Sequence, residues 1–196
     1  MRALPYCLLL LASGAIALAR QPAQALPGQR TETVRTWIRA HPTLQPALGD
    51  GLTVENSNAA AQRFQFSASV LPPGRLSFVR NRGIIRSERF LLYDVINGVS
   101  AERLAESLRV IYGLDIYRDY QQANPVYAYP SFGQLELGRR LALPGVGGVR
   151  GELRVGDRFA YWTELSVDDF GEIITGQVTV FLKEDLSKLE TELRRL

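Results

Sequence analysis

Apolar and polar residues alternate most cleanly from Arg63 to Val70. Phe64, Phe66, Ala68 and Val70 fall on one side, and Arg63, Gln65, Ser67 and Ser69 on the other. A period of two marks a strand with one buried face. Leu52–Asn56 alternates in the same way before it, and Pro72-Pro73-Gly74 breaks the pattern after it. Leu76–Arg80 and Ile84–Ile96 read as further strands joined at Asn81-Arg82-Gly83, a hairpin turn by composition. Phe90–Ile96 is apolar on both sides apart from Asp94, which suits a central strand. Leu153–Leu165 and Glu172–Leu182 read as long strands around the turn Val167–Gly171. From this alternation the sheet core is expected to hold Phe64, Phe66, Phe78, Leu92, Tyr161, Val178 and Val180.

Helical spacing interrupts the strands. Thr31 stands where a cap belongs, and Val34, Trp37, Ile38 and His41 follow at i, i+3, i+4, i+7 until Pro42 ends the run. Ser100 opens a second helix with the buried stripe Leu104, Leu108, Ile111 and Tyr112, and Gly113 supplies its C′ stop. Glu102 and Glu106 lead it and Arg109 closes it, as the helix dipole favours. A last helix starts near Asp185, with Leu186, Leu189, Leu193 and Leu196 on one stripe. The stretch Leu114–Gly151, with Pro125, Pro130, Pro144 and several glycines, reads as a long loop with one short strand at Val126–Tyr129. The expected fold is α+β: a single domain with a mainly antiparallel sheet of about six or seven strands covered by three helices.

Residues 1–25 change the picture by compartment. Arg2 gives a basic start, Leu8–Ala19 an apolar stretch too short to span a bilayer, and Ala23-Gln24-Ala25 a small-x-small cleavage site. The pattern is that of a cleaved export signal, leaving 26–196 as one soluble domain in the periplasm, the thylakoid lumen or the extracellular space. No later run is long enough for a transmembrane helix. Arg2 and Arg20 account for much of the formal charge of +3, and no acid precedes residue 26. The remainder is close to neutral, which argues against a nucleic-acid partner. Cys7 is the only cysteine and lies in that segment, so the exported part forms no disulfide and offers no thiolate.

Little catalytic chemistry remains. His41 is the only histidine, which excludes a multi-histidine metal site, and its place before Pro42 suits a packed or helix-capping role. Gly-x-Ser-x-Gly, His-Glu-x-x-His and P-loop patterns are absent. The glycines from Gly145 to Gly151 follow Pro144, and Arg150 stands where a dinucleotide fingerprint needs glycine or alanine. No cofactor or metal is expected. Paired carboxylates are the one enzymatic route left, with Glu152, Glu164, Asp168 and Asp169 as candidates for glycoside hydrolysis.

Two clusters stand out. Arg75, Arg80, Arg82, Arg86 and Arg89 lie close together, and on the expected hairpin Arg80, Arg82 and Arg86 gather near the turn. They suit an anionic glycan, lipid headgroups or an acidic protein face; the structural alternative is pairing with the acid-rich segment Glu164–Glu192. Tyr112, Tyr117, Tyr120, Tyr127 and Tyr129 suit a protein interface or a sugar-stacking groove, or else pin a long loop to the core.

Ala23–Gly28, Arg63–Arg75 and the run Val180-Phe-Leu-Lys-Glu-Asp-Leu186 resemble exported cyanobacterial proteins of unknown function. That resemblance implies an extracytoplasmic address and nothing more, since the family brings no known activity or site residues. With no catalytic set beside the Arg-rich strand pair and the Tyr-rich segment, the expected function is a non-catalytic exported domain. It would bind or support an envelope or lumen component through Arg80, Arg82, Arg86, Tyr117, Tyr120, Tyr127 and Tyr129. The alternative is a carboxylate-dependent hydrolase of envelope glycans.

Overall fold

The computed structural model describes residues 26–77, 81–130, 140, 148–168 and 170–195. The segment 1–25, read above as an export signal, lies outside the described residues. In chain order the strands are β1 (Thr53–Ala59), β2 (Gln62–Ser69), β3 (Ser87–Asp94), β4 (Asn124–Tyr129), β5 (Val149–Val155), β6 (Ala160–Val167) and β7 (Ile173–Phe181). The helices whose bounds are described are α1 (Thr31–Ala40), α2 (Ala101–Tyr112), α3 (Leu114–Gln122) and α4 (Leu186–Leu193), the last entered through a 3-10 turn at Lys183–Asp185. Among the described residues seven strands pair antiparallel in one sheet, in the order β1-β2-β3-β7-β6-β5-β4. This is the α+β architecture that the alternation predicts.

Register decides which side chains meet. Val54, Phe66, Phe90 and Val178 lie opposite one another across β1, β2, β3 and β7, all fully buried on one face. Val34 and Ile38 of α1, Leu104, Leu108 and Ile111 of α2 and Ile116 of α3 close over that face. The opposite face carries Leu153, Ala160 and Phe181, which α4 covers with Leu189 and Leu193. Burying these apolar surfaces on both sides of one sheet supplies the main drive to fold. Of the expected core, Phe66, Tyr161, Val178 and Val180 are fully buried, Phe64 and Leu92 are half-buried against it, and Phe78 lies outside the described residues.

Ser100 caps α2 as its residue type predicts, its hydroxyl accepting from the Arg103 N–H at 3.3 Å. Gly113 ends α2 at φ 86°, a left-handed value that a side chain would strain, and the reversal starts α3 at the next residue.

Four expectations need correction. Thr31 does not cap α1: Arg30 occupies the N-cap position, bridged antiparallel to Ile84, and the Thr31 hydroxyl is buried without a partner. The hairpin about Asn81-Arg82-Gly83 is not a strand pair among the described residues. Leu76 and Ser77 are non-strand, 78–80 lie outside the description, and Ile84 pairs with Arg30, so β3 starts only at Ser87. Leu153–Leu165 is not one strand but the facing halves of β5 and β6, reversed at Gly156–Phe159. Leu114–Gln122 is a fourth helix and not a loop, so Tyr117 and Tyr120 sit on α3. Among the described residues no helix is long and apolar enough to cross a membrane.

Candidate functional site

The arginines do not converge as a free patch. Arg86 is committed inward: its Nε and Nη2 donate to Asp185 at 3.0 and 2.7 Å, and Nη2 meets Glu184 at 2.6 Å. Hydrogen bonding to Asp185 raises the Arg86 pKa, so its charge is permanent. This is the pairing with the acidic C-terminal segment that competes with a binding role. Arg82 is exposed, and Arg80 lies outside the described residues.

The tyrosines divide between the two faces of the sheet. Tyr120 is buried edge-on to Tyr161, with ring centroids 5.3 Å apart. Tyr127 and Tyr129 stack on the opposite face, Tyr127 beneath the Arg194 guanidinium at 4.4 Å. The Tyr129 hydroxyl donates to Glu164 and accepts from Trp162 Nε1 at 2.8 Å. Tyr117 stands apart from all of these, half-buried on α3 beside a cleft.

The nominated carboxylates do not converge either. Glu152 lies opposite Thr163 and Gly151 opposite Glu164, so successive side chains place Glu152 and Glu164 on different faces of the sheet. The Asp168 carboxylate accepts from the N–H groups of Phe170 and Glu172 at 2.9 and 2.8 Å, a turn-forming role. Asp169 lies outside the described residues. His41 ends α1, where its Nδ1 accepts from the Thr43 N–H and its Nε2 donates to the Ile111 carbonyl at 3.1 Å. Burial lowers its pKa, so the neutral ring is favoured. No grouping of three or more potential metal ligands occurs among the described residues.

The concave site is one that local patterns do not single out. Asn56, Phe64 and Leu92 lie side by side across β1, β2 and β3, on the face that carries the core. Against the sheet α2 packs on β7, β3 and β6, and its closest partner is α3, so this corner of the face stays open. The result is a cleft of about 610 Å³ with Phe64 and Leu92 as its floor. The flank of α2 from Glu102 to Ile111 forms the wall, roughly 14 Å long at the helical rise. Thr43 and Tyr117 close the far end. A smaller hollow of about 120 Å³ shares Asn56, Phe64, Leu92 and Arg103 and extends the cleft toward Asp94. Val110 marks the wall: it is apolar, 46% exposed and outside the buried stripe of α2.

The charged rim is fixed from below by Asp94. This buried carboxylate accepts from the N–H groups of Ile96 and Asn97 at 3.1 and 2.9 Å, from Gln62 at 3.2 Å and from Arg103 at 2.8 Å. The Asn97 N–H foremost, and then Arg103, hold its pKa well below the usual carboxylate range. Arg103 is thereby pinned along the cleft edge, its other arm donating to the Gly98 carbonyl. Glu106 is paired with Arg109 at its Nε, 2.7 Å away.

An α+β domain with a preformed, largely apolar cleft and a charged rim is the class that these features define. Comparison with known protein families, with curated proteins and with solved structures found no match.

Proposed function

We propose that the chain is an exported, non-catalytic binding domain that receives a component of the envelope or lumen in the cleft between α2 and the β1–β3 face. One observation carries the reading: a preformed concavity of about 610 Å³ with an apolar floor of Phe64 and Leu92 and polar side chains along its α2 wall. Its volume is within the range of roughly 300–1,000 Å³ at which small-molecule sites occur. The compartment rests on the residue pattern of 1–25. Tyr117, one of the residues that the sequence nominates, lines this cleft; Arg86 does not, and its ion pair weakens the case for an anionic partner at the arginines.

N-phenyl-1-naphthylamine, a neutral dye that fluoresces on entering apolar sites, tests the proposal with the purified protein. Saturable enhancement is expected, and it should be lost in Phe64→Arg and Val110→Arg, which fill the cleft from its floor and its wall. Val110 is exposed, so its variant should keep the wild-type melting temperature. Failure of the wild type to bind the dye, or undiminished binding by V110R, would reject the cleft as the site.

A further inference from the structure

We infer that the cleft takes a small amphiphile, an apolar chain or ring system bearing a cationic head that rests against Glu102. The inference depends on the cleft being the binding site and adds the class of ligand. The floor of Phe64 and Leu92 and the Val110–Ile111 stretch of the wall select an apolar body. Glu102, Arg103, Glu106 and Ser107 line the α2 wall beside that apolar floor, so a ligand with an apolar body and a polar head fits better than a uniformly apolar one.

The sign of the head follows from the ion pairs at the rim. Arg103 is satisfied by Asp94 and the Gly98 carbonyl. Glu106 is satisfied by Arg109. In the adjoining hollow Arg63 meets Glu55 at 3.2 Å. Glu102 lines the cleft and is exposed, and it has no cationic partner among the described residues. Each cation that reaches the cleft or the hollow is therefore matched by an acid, and one carboxylate is left over.

The N-terminus of α2 offsets part of that charge through its dipole but does not convert the rim into an anion site. Its leading donors are taken: the Arg103 N–H by the Ser100 hydroxyl and the Leu104 N–H by the Ser100 carbonyl. The Glu102 N–H and the Ser100 hydroxyl both hydrogen-bond the Glu102 carboxylate and lower its pKa, which keeps it charged. An anionic head meets neither a free guanidinium nor a free amide there, and it faces Glu102. A cationic head meets the one rim charge without a counter-charge among the described residues, near the apolar floor of Phe64 and Leu92, which strengthens the attraction.

Displacement of bound N-phenyl-1-naphthylamine by three twelve-carbon compounds reads the preference directly: dodecylammonium, dodecanol and dodecanoate, at pH 7 and below micelle formation. Dodecylammonium is expected to displace the dye about tenfold more effectively than dodecanoate, as one partly screened charge pair implies. In Glu102→Gln the two charged compounds should converge while dodecanol is unchanged, and Glu102→Asp should restore the preference. Equal or stronger displacement by dodecanoate, or a preference that survives in E102Q, overturns the inference while leaving the cleft as the site. Absence of dye binding by the wild type removes the site itself.

Discussion

Arg86 and Asp185 form a two-pronged ion pair that ties the start of β3 to the turn leading into α4, with Nε to Oδ2 at 3.0 Å and Nη2 to Oδ1 at 2.7 Å. Asp185 is buried, whereas Glu184, the second partner of Arg86, is exposed and adds little. Arg86→Ser leaves the Asp185 carboxylate in a poorly solvated site without its cation. Some water reaches Arg86, so the cost is set below that of a fully buried pair, at about 2 kcal/mol. For a chain of this size that is a fall in Tm of about 4–8 °C. Arg82→Ser, at an exposed position, should change stability by no more than about 0.5 kcal/mol. Thermal unfolding of the two variants side by side checks this, and equal melting temperatures would contradict the structural role of Arg86.

Glu88 is the second acid whose surroundings matter. It is fully buried on β3, its Oε2 accepts from the Tyr112 hydroxyl, and its Oε1 is buried without a partner. Burial pushes its pKa from 4.5 up to about 8, against the weaker opposing effect of the Tyr112 hydrogen bond. Between those values the folded chain holds a proton that the unfolded chain has released, so unfolding releases a proton and stability falls as the pH rises. This contribution is fully present below about pH 4.5 and is gone above about pH 8. Glu88→Gln keeps the shape and cannot ionise. Its stability relative to wild type, measured by urea unfolding at several pH values, should therefore rise steadily across that window. A difference independent of pH would mean that Glu88 does not titrate in the fold.

Legibility in the sequence tracks how local each cause is. β2 is legible because one of its faces is buried and the other solvated, so Phe66 and Ala68 alternate with Arg63 and Gln65. α2 is legible because its cap and its stop, Ser100 and Gly113, act within their own turns. α3 is masked by chemistry: its buried stripe is Ile116, Asp119 and Tyr120, and a carboxylate in that stripe erases the apolar period. The partner of Arg86 lies 99 residues away, where no local pattern reaches. The cleft is the least legible feature, because Phe64 and Leu92 carry ordinary core chemistry. Only the line that α2 takes across the sheet leaves them partly open.

Asp119 explains how the missed helix and the missed hairpin belong together. From α3 its Oδ1 accepts from the N–H groups of Asp157 and Arg158 at 2.8 and 3.0 Å, and its Oδ2 from the Tyr161 hydroxyl at 2.6 Å. The turn between β5 and β6 is thus closed by a side chain from another element. Asp119→Ala removes both acceptor oxygens and leaves these donors unpaired, with an expected loss of about 2–4 kcal/mol; Tyr161→Phe removes one bond and about 1–2 kcal/mol. Hydrogen exchange separates the two effects. The Asp157 and Arg158 amides should lose protection in D119A and keep it in Y161F. Unchanged protection in D119A would show that the turn holds without the carboxylate.

Gly151 on β5 sits beneath the ring of Tyr129, and a methyl group there would overlap that ring. A tyrosine ring at the end of a free side chain could swing away, but this one is held at several points. It stacks on Tyr127 at 5.8 Å, donates to Glu164, and accepts from Trp162 Nε1 at 2.8 Å. Gln177 Nε2 binds the other oxygen of Glu164, which fixes that anchor in turn. Gly151→Ala must therefore displace the ring and break these bonds together, an overpacking cost of about 1–3 kcal/mol. The cost should depend on Tyr129. In a Tyr129→Ala background the three atoms nearest the methyl are gone, so the second substitution should cost much less, a coupling that a double-mutant cycle reads directly. Trp162 supplies a second readout: in a Trp37→Phe background it is the only tryptophan left, and its emission should shift to the red in G151A as its N–H loses Tyr129. A Gly151→Ala cost that is the same with and without the Tyr129 ring would mean that the glycine is required by the β5 backbone and not by the ring above it.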